Sequence, residues 1–334
     1  SGINRLNQFI DAEDITKELN PTYGSIQKLH TRDTDIVTFC EDKVLKVLSN
    51  KDAIYNADGD FRLTSTKNVL GQAVPYVGDY GISKNPESFA SYGYRVYFTD
   101  SQRGCALRLS RDGIEVISDY GMKDWFRDKF KEYKLEQQNG SISEDRIIGT
   151  YDVVGENYDV TIPTSNAKTI SFNEKVNGWV SFKSYIPEDG ISINGNYYTF
   201  KWGELWQNYC ENCFYNSFYW DYTTGNPIQY DSSITLLFNE SPETVKSFNT
   251  LNYEGSAARV TAIAPYHAQE LLDGVSYASH DGSKPPSGVG EYYDNWAVDG
   301  WYLNYMTSNL QSSRNIEFKN KEDKYFTKIK GEFT

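Results

Sequence analysis

Histidine and cysteine are scarce in this chain of 334 residues, which holds three His (His30, His267, His280) and four Cys (Cys40, Cys105, Cys210, Cys213). So little imidazole gives a Ser-His-Asp triad little to work with. No GxSxG, HExxH, Walker A or dinucleotide glycine pattern occurs either. Cys210 and Cys213 have the spacing of a zinc knuckle or a redox pair, but no second such pair exists and the histidines are distant in sequence. No metal and no cofactor is therefore assigned, and free thiols are expected. Cys40 and Cys105, inside or beside strand patterns, suit the role of small buried hydrophobes.

Long apolar runs are missing as well. A membrane span needs about 18 to 20 apolar residues, and a stretch such as Ile234-Thr235-Leu236-Leu237-Phe238 fits a buried strand instead. The start, Ser1-Gly2-Ile3-Asn4-Arg5, has neither an initiator Met nor the apolar segment of a signal peptide, so a fragment or processed product is expected. Positive charge is in deficit: 33 basic against 46 acidic residues leave a formal net charge of −13. Such a surface repels phosphate and anionic lipid, which excludes a general nucleic-acid binder.

Acidic residues are plentiful, and their pairs need weighing. Asp33 with Asp35, Asp58 with Asp60, and Glu87 are candidates for glycan hydrolysis, which needs two carboxylates about 5 to 10 Å apart. A chain this acidic yields such pairs by chance, and solvated loop carboxylates are the plainer reading. Asn56, Asp58 and Asp60 open like a calcium loop, yet Gly59 falls between the second and third ligand positions and the closing Glu is missing. A structural turn is expected there.

Aromatic residues are abundant, with 27 Tyr, 17 Phe and 7 Trp. Tyrosine suits pleated, half-exposed surfaces and subunit contacts, since its ring is apolar and its end polar. The alternation of the chain says the same. From Tyr94 to Ser118, Val96 and Phe98, Leu107 and Leu109, then Ile114 and Val116 recur with period two, with Arg95, Arg108 and Glu115 on the other face. Turns at Thr99-Asp100-Ser101 and Arg111-Asp112-Gly113 divide this stretch into a three-stranded meander.

A similar pattern runs from Asp35, where Val37 and Phe39 precede Leu45 and Val47. Matching Leu45-Lys46-Val47 to Leu107-Arg108-Leu109 gives an offset of roughly 60 residues, the length of one four-stranded propeller blade with generous loops. Unrelated hairpins in one large β-domain would give the same two copies. Val37, Phe39, Leu45, Val47, Val96, Phe98, Leu107 and Leu109 are all expected to point into cores between adjacent sheets.

Along the chain, residues 1–34 read as a polar lead-in with a short helix over Asn7 to Leu19, and 35–334 as one β-domain. Val69 to Ala90, rich in Gly and Pro, reads as a winding loop. Met122, Trp125, Phe126, Phe130 and Tyr133, at helical spacing, predict an amphipathic helix over about 121–135 whose aromatic stripe is core. Further strands are expected at 149–154, 158–162, 169–172, 179–183, 196–200, 205–207, 234–238, 246–253, 300–305 and within 316–329. A long loop is expected over 267–295. The predicted fold is all-β, a propeller-like arrangement of antiparallel meander blades with one amphipathic helix and long loops.

Four long segments carry a resemblance: VLGQAVPYVGDYGISKNPESFASYGYRVYFTDSQRG, LRLSRDGIEVISDYGMKDWFRDKF, NGWVSFKSYIPEDGISINGNYYTFKWGELW and KSFNTLNYEGS. Over most of the chain, from Asn7 to Gly331, it resembles the tail muzzle (nozzle, or stabilisation) proteins of crAss-like bacteriophages and related large virion proteins of cyanophages. The resemblance implies a non-enzymatic tail component made in the host bacterial cytoplasm and built into the virion. It implies propeller-like subunits in a homo-oligomeric ring, commonly sixfold, in contact with other tail proteins. Genomic DNA would pass through the lumen without specific binding, and the ring would shape or close the exit channel and support ejection. A second reading is a host-surface glycan-binding module using Trp202, Trp206 and Trp296; a glycan hydrolase is third. No catalytic, cofactor or metal residue is implied.

Overall fold

The computed structural model describes residues 17–32, 35–55, 61–142, 146–211, 216–230, 232–239, 241–254, 308–310, 319–321 and 324–333. They fall into two compact units, Ser1–Ser233 and Ile234–Thr334. The first is a series of antiparallel sheets. Sheet one contains β1 (Ile26–Thr31), β2 (Asp35–Cys40), β3 (Val44–Tyr55) and β4 (Phe61–Pro75) in that spatial order. Sheet two contains β5 (Ala90–Tyr92), β6 (Arg95–Asp100), β7 (Cys105–Leu109) and β8 (Ile114–Val116), again in order.

After the helix α1 (Lys123–Gln138), sheet three contains β9 (Ile148–Asp152), β10 (Asn157–Ile162), β11 (Lys168–Asn173) and β12 (Gly178–Lys183). A three-stranded sheet of β13 (Asp189–Ile193), β14 (Asn196–Lys201) and β15 (Glu204–Gln207) follows, then a hairpin of β16 (Ser217–Asp221) and β17 (Asn226–Gln229). In the second unit, β18 (Lys246–Glu254), β19 (Lys319–Lys321) and β20 (Lys324–Phe333) form a sheet in the order β18-β20-β19. The fold is thus antiparallel β with one α-helix among the described residues, as the alternation predicted.

Sheet two is buried on both faces. Val96 pairs with Leu109 and Phe98 with Leu107, so these four share one face. There they meet Val37, Phe39 and Val44 of sheet one and Ile82 of the intervening loop. Phe39 and Phe98 touch edge to face, with ring centres 5.1 Å apart. Ala90, Tyr97 and Ala106, on the other face, join Phe126, Phe130 and Tyr133 of α1 and Tyr158, Val160, Ile170 and Phe172 of sheet three. The aromatic stripe of the helix is therefore core, and the helix runs three residues beyond the predicted end. Gly140, at φ 69°, follows it in the left-handed region.

All eight repeat positions, Val37, Phe39, Leu45, Val47, Val96, Phe98, Leu107 and Leu109, are buried. Their faces differ from expectation in one place. Phe39 pairs with Val44 and Val37 with Lys46, so Leu45 and Val47 lie on the face opposite Val37 and Phe39. Val44, not Leu45, is the counterpart of Leu107: the β2–β3 turn is tighter than the Ser101–Gly104 turn after β6, which shifts the repeat by one residue.

Several boundaries also move. β1 lies inside the stretch read as a polar lead-in; its mostly exposed residues gave no alternation. Residues 17–20 are not helical, and 7–16 are outside the described residues. β4 extends to Pro75, shortening the expected loop after Val69. The expected buried strand at Ile234–Phe238 is exposed, with no strand assigned. The expected strand at 300–305 and the loop at 267–295 lie outside the described residues.

Candidate functional site

For a chain without a catalytic motif, the places where successive sheets meet carry the interest, and each meeting has its own chemistry. Between sheets one and two it is apolar, as above, with one polar anchor. The Asp100 carboxylate is fully buried and accepts hydrogen bonds from the Gly81 amide (3.1 Å), the Ser83 hydroxyl (2.7 Å) and the Arg103 guanidinium (2.8 Å). It thereby fixes the loop between the sheets to the β6–β7 turn. The nearby Cys105 thiol is pushed up to about 12, first by burial and then by the Asp100 charge, and is inert as a nucleophile at neutral pH.

Between sheets two and three, stacked tyrosines end in an ionic cluster. Tyr97 stacks on Tyr158 with ring centres 4.9 Å apart, and Tyr92 on Tyr151 at 4.3 Å. The Tyr97 hydroxyl donates to Glu174 at 2.6 Å, and Arg108 bridges Glu174 and Glu115. Glu115 also accepts from Tyr120; that bond, with help from Arg108 and against burial, holds its carboxyl below the usual range. Arg95, Arg108 and Glu115, predicted on the outer face of the meander, form the receiving surface for Glu174 at the β11–β12 turn.

Sheet three turns a wholly different face to sheet four. Thr150, Asp152, Asn157, Asp159, Thr161, Thr169 and Ser171 are all buried. The Asp159 carboxylate accepts from Ser171 (2.5 Å) and from the Tyr185 hydroxyl (3.0 Å), while Asp152 accepts from Tyr209 (2.6 Å) and the amides of Val154 and Gly155. Thr150 and Tyr197 bond to each other at 2.8 Å. Burial raises the Asp159 carboxyl from 3.8 to about 6, against the opposing pull of Lys183 and its hydroxyl donors. Sequence reading missed this cluster, because Tyr-Asp-Val-Thr-Ile reads as apolar in and polar out. The clue was the run of tyrosines just downstream, each of which needs a buried partner for its hydroxyl.

The first strands of sheets two, three and four, β5, β9 and β13, lie side by side, and β1 of sheet one reaches the residue just before β5. His30 and Lys28 of β1 reach the Phe89 ring just before β5. The Tyr158 hydroxyl donates to the Ser88 carbonyl at 2.7 Å, and a Cβ at Gly149 of β9 would stand 1.9 Å from that same carbonyl oxygen. Ser192 of β13 donates to the Tyr151 carbonyl and accepts from the Val153 amide. A shallow cavity of about 290 Å³ opens along this row, lined by Ser91, Tyr92, Gly149, Tyr151 and Ile191 among others.

The sequence-predicted site residues are not brought together. Asp35 is buried beside Lys46 at 3.6 Å, and Glu87 pairs with Arg146. Asp33, Asn56, Asp58, Asp60, Cys213, His267, His280 and Trp296 lie outside the described residues. Cys210 is in a disulfide, which corrects the expected free thiol; Cys40 and Cys105 are free and buried as predicted. Trp202 and Trp206 meet Tyr219 edge to face at 63° and 70°, so they form no coplanar sugar-stacking platform with it.

The Crassvirus muzzle protein model matches residues 15–203, more than half of the chain and all three four-stranded sheets. The chain belongs to the crassvirus muzzle protein family. It is accordingly a structural component of a bacteriophage particle. No curated protein matches it. The muzzle family match ends at the β14–β15 turn, so the meeting faces of sheets one to three and most of sheet four lie within it. No helix among the described residues is long and apolar enough to cross a membrane.

Proposed function

We propose that this muzzle-family chain is a mechanical part of the phage tail: a propeller-like subunit of a homo-oligomeric ring that shapes or closes the DNA exit channel and supports genome ejection. The observation that carries the reading is the row β1, β5, β9, β13. Each of the four sheets begins with one of these strands and continues as a meander, and the sheets pack in succession, sheet two between one and three and sheet three between two and four, as successive blades of a propeller do. Sheets two and three, packed on both sides, give the chain a stiff interior.

The charge balance supports a conduit, since a surface of net charge −13 neither grips nor stalls a phosphate backbone moving past it. Exposed Phe182, Ile191 and Ile193 on sheets three and four supply apolar surface suited to contact with ring neighbours or other tail proteins. The buried carboxylates Asp100, Asp152 and Asp159 are engaged by hydroxyls, amides and Arg103, an arrangement for holding sheets together rather than for hydrolysis.

Gold-labelled antibody against this chain, applied to intact particles and imaged by electron microscopy, tests the placement. Label at the free end of the tail is expected. Label confined to the capsid or to radial fibres would refute it.

A further inference from the structure

Two turns at one end of sheet two enclose a cavity that takes no part in sheet packing. Tyr92 pairs with Arg95 across the β5–β6 turn, and the next residue, Val96, pairs with Leu109. Leu109 pairs in turn with Ile114 across the β7–β8 turn, so both turns stand at the same end of the meander. Gly93 (φ 58°) and Gly113 (φ 117°) supply the positive φ that these tight reversals require. An open cavity of about 420 Å³ lies there, lined by Tyr92, Tyr94, Arg95, Ser110, Arg111 and Asp112 among others. Its volume falls in the range of small-molecule sites.

Two tyrosine rings in this cavity are held by a neighbour and still present surface. Tyr92 stacks on Tyr151 at 4.3 Å yet is 49% exposed; Tyr94 lies under the Arg111 guanidinium, 4.1 Å from its ring centre, yet is 63% exposed. A guanidinium laid on a ring uses its flat face, which leaves its N–H edge to hold a carboxylate through two parallel bonds. Two further arginines stand close by. Arg95 is half-exposed with Glu174 at 3.7 Å, and Arg32 reaches the Tyr94 carbonyl at 3.5 Å. In a chain of net charge −13, three arginines around one cavity that holds the single acid Asp112 make a local site for an anion.

Aromatic surface beside an arginine edge fits a ligand that has an apolar flat face and one negative charge at its rim. A sugar ring bearing a carboxylate has both. Its C–H face suits the tyrosine rings and its carboxylate suits Arg111, while Ser110 and Asp112 offer partners for its hydroxyls. A polyanion such as nucleic acid meets the repulsion of the whole acidic chain, whereas a single charge meets far less of it.

We propose that this cavity binds a carboxylated saccharide unit, with Arg111 taking the carboxylate, Arg95 adding positive potential, and Tyr92 and Tyr94 stacking on the ring. The site lies within one sheet of one copy and does not depend on the tail ring.

Calorimetric titration of the full chain with methyl glucuronide and with the methyl glycoside of N-acetylneuraminic acid tests it. One of the two acids should bind at a single site with Kd below about 10 mM. Neutral methyl glucoside should bind at least about tenfold more weakly, as should either acid to Arg111→Gln, since each loses a charge-assisted pair of hydrogen bonds. Arg111→Lys, which keeps the charge without the fork, should fall between parent and Arg111→Gln. Trp202→Ala, remote in sequence from both turns, should bind as the parent does. All three changes are at exposed positions, and unchanged circular dichroism confirms the fold.

No binding of either acid overturns the proposal. Equal binding of the neutral glycoside overturns the role of Arg111, and tighter binding of glucose 6-phosphate than of both acids overturns the carboxylate in favour of a phosphate. Binding lost in Trp202→Ala but kept in Arg111→Gln moves the site elsewhere and overturns it as well.

Discussion

Replacing Asp159 by Asn should remove a pH dependence that the buried face of sheet three builds into the fold. Burial raises the Asp159 carboxyl from 3.8 to about 6. An acid whose folded pKa lies above its unfolded value holds more protons in the native state across that window. Stability therefore falls as pH rises from about 4 to about 6 and is flat on either side. A shift of about 2 pKa units at about 1.4 kcal/mol each makes the loss close to 3 kcal/mol. The amide that replaces the carboxyl could still accept from Ser171 or Tyr185 but would not ionise. Urea unfolding of parent and Asp159→Asn, followed by tryptophan fluorescence from pH 4 to 8, cancels the effect of all other titrating groups in the difference. The variant should gain about 3 kcal/mol relative to the parent between pH 4 and 7. A difference that is constant with pH would refute the reasoning. A difference of opposite sign would show that the Tyr185 and Ser171 donors outweigh burial.

Phe98→Ala, which empties a fully buried site against Phe39, should cost about 3 to 5 kcal/mol in the same titration; a cost under about 1 kcal/mol would mean that sheets one and two do not pack through it. Tyr158→Phe removes only the hydroxyl that reaches the Ser88 carbonyl, and a loss of about 1 to 2 kcal/mol is expected with the stacking on Tyr97 preserved. Gly149→Ala forces a Cβ against that same carbonyl oxygen, so it should destabilise by at least about 1 to 3 kcal/mol and deprotect β9 amides in hydrogen exchange. Cys105 should resist maleimide at neutral pH in the native chain and react once denaturant is added.

Much of the fold was legible because paired apolar positions announce strands wherever one neighbour is apolar and the other polar. Val96, Phe98, Leu107 and Leu109 were assigned to one face correctly, and the helix followed from Phe126, Phe130 and Tyr133. The misassigned face of Leu45 and Val47 has a simple cause: both faces of β3 are buried at Val44, Leu45, Val47 and Leu48, so period two had two solutions and only the turn length chose between them. β1 was missed because its mostly exposed residues show no contrast. The polar face of sheet three was illegible for the opposite reason. Asp159, Thr161 and Ser171 look solvent-facing until Tyr185, Tyr197 and Tyr209 arrive from later in the chain to satisfy and cover that face.

The proposed function places β1, β5, β9 and β13 on the inner line of a propeller-like subunit in a tail ring. An electron cryomicroscopy map of the phage tail at side-chain detail tests it most directly. A ring of identical copies is expected at the distal end, in each of which these four strands lie nearest the propeller axis and β4, β8 and β12 farthest from it. A map in which the same sheets stack as a linear sandwich without a common axis, or in which the chain occupies no ring, would contradict it.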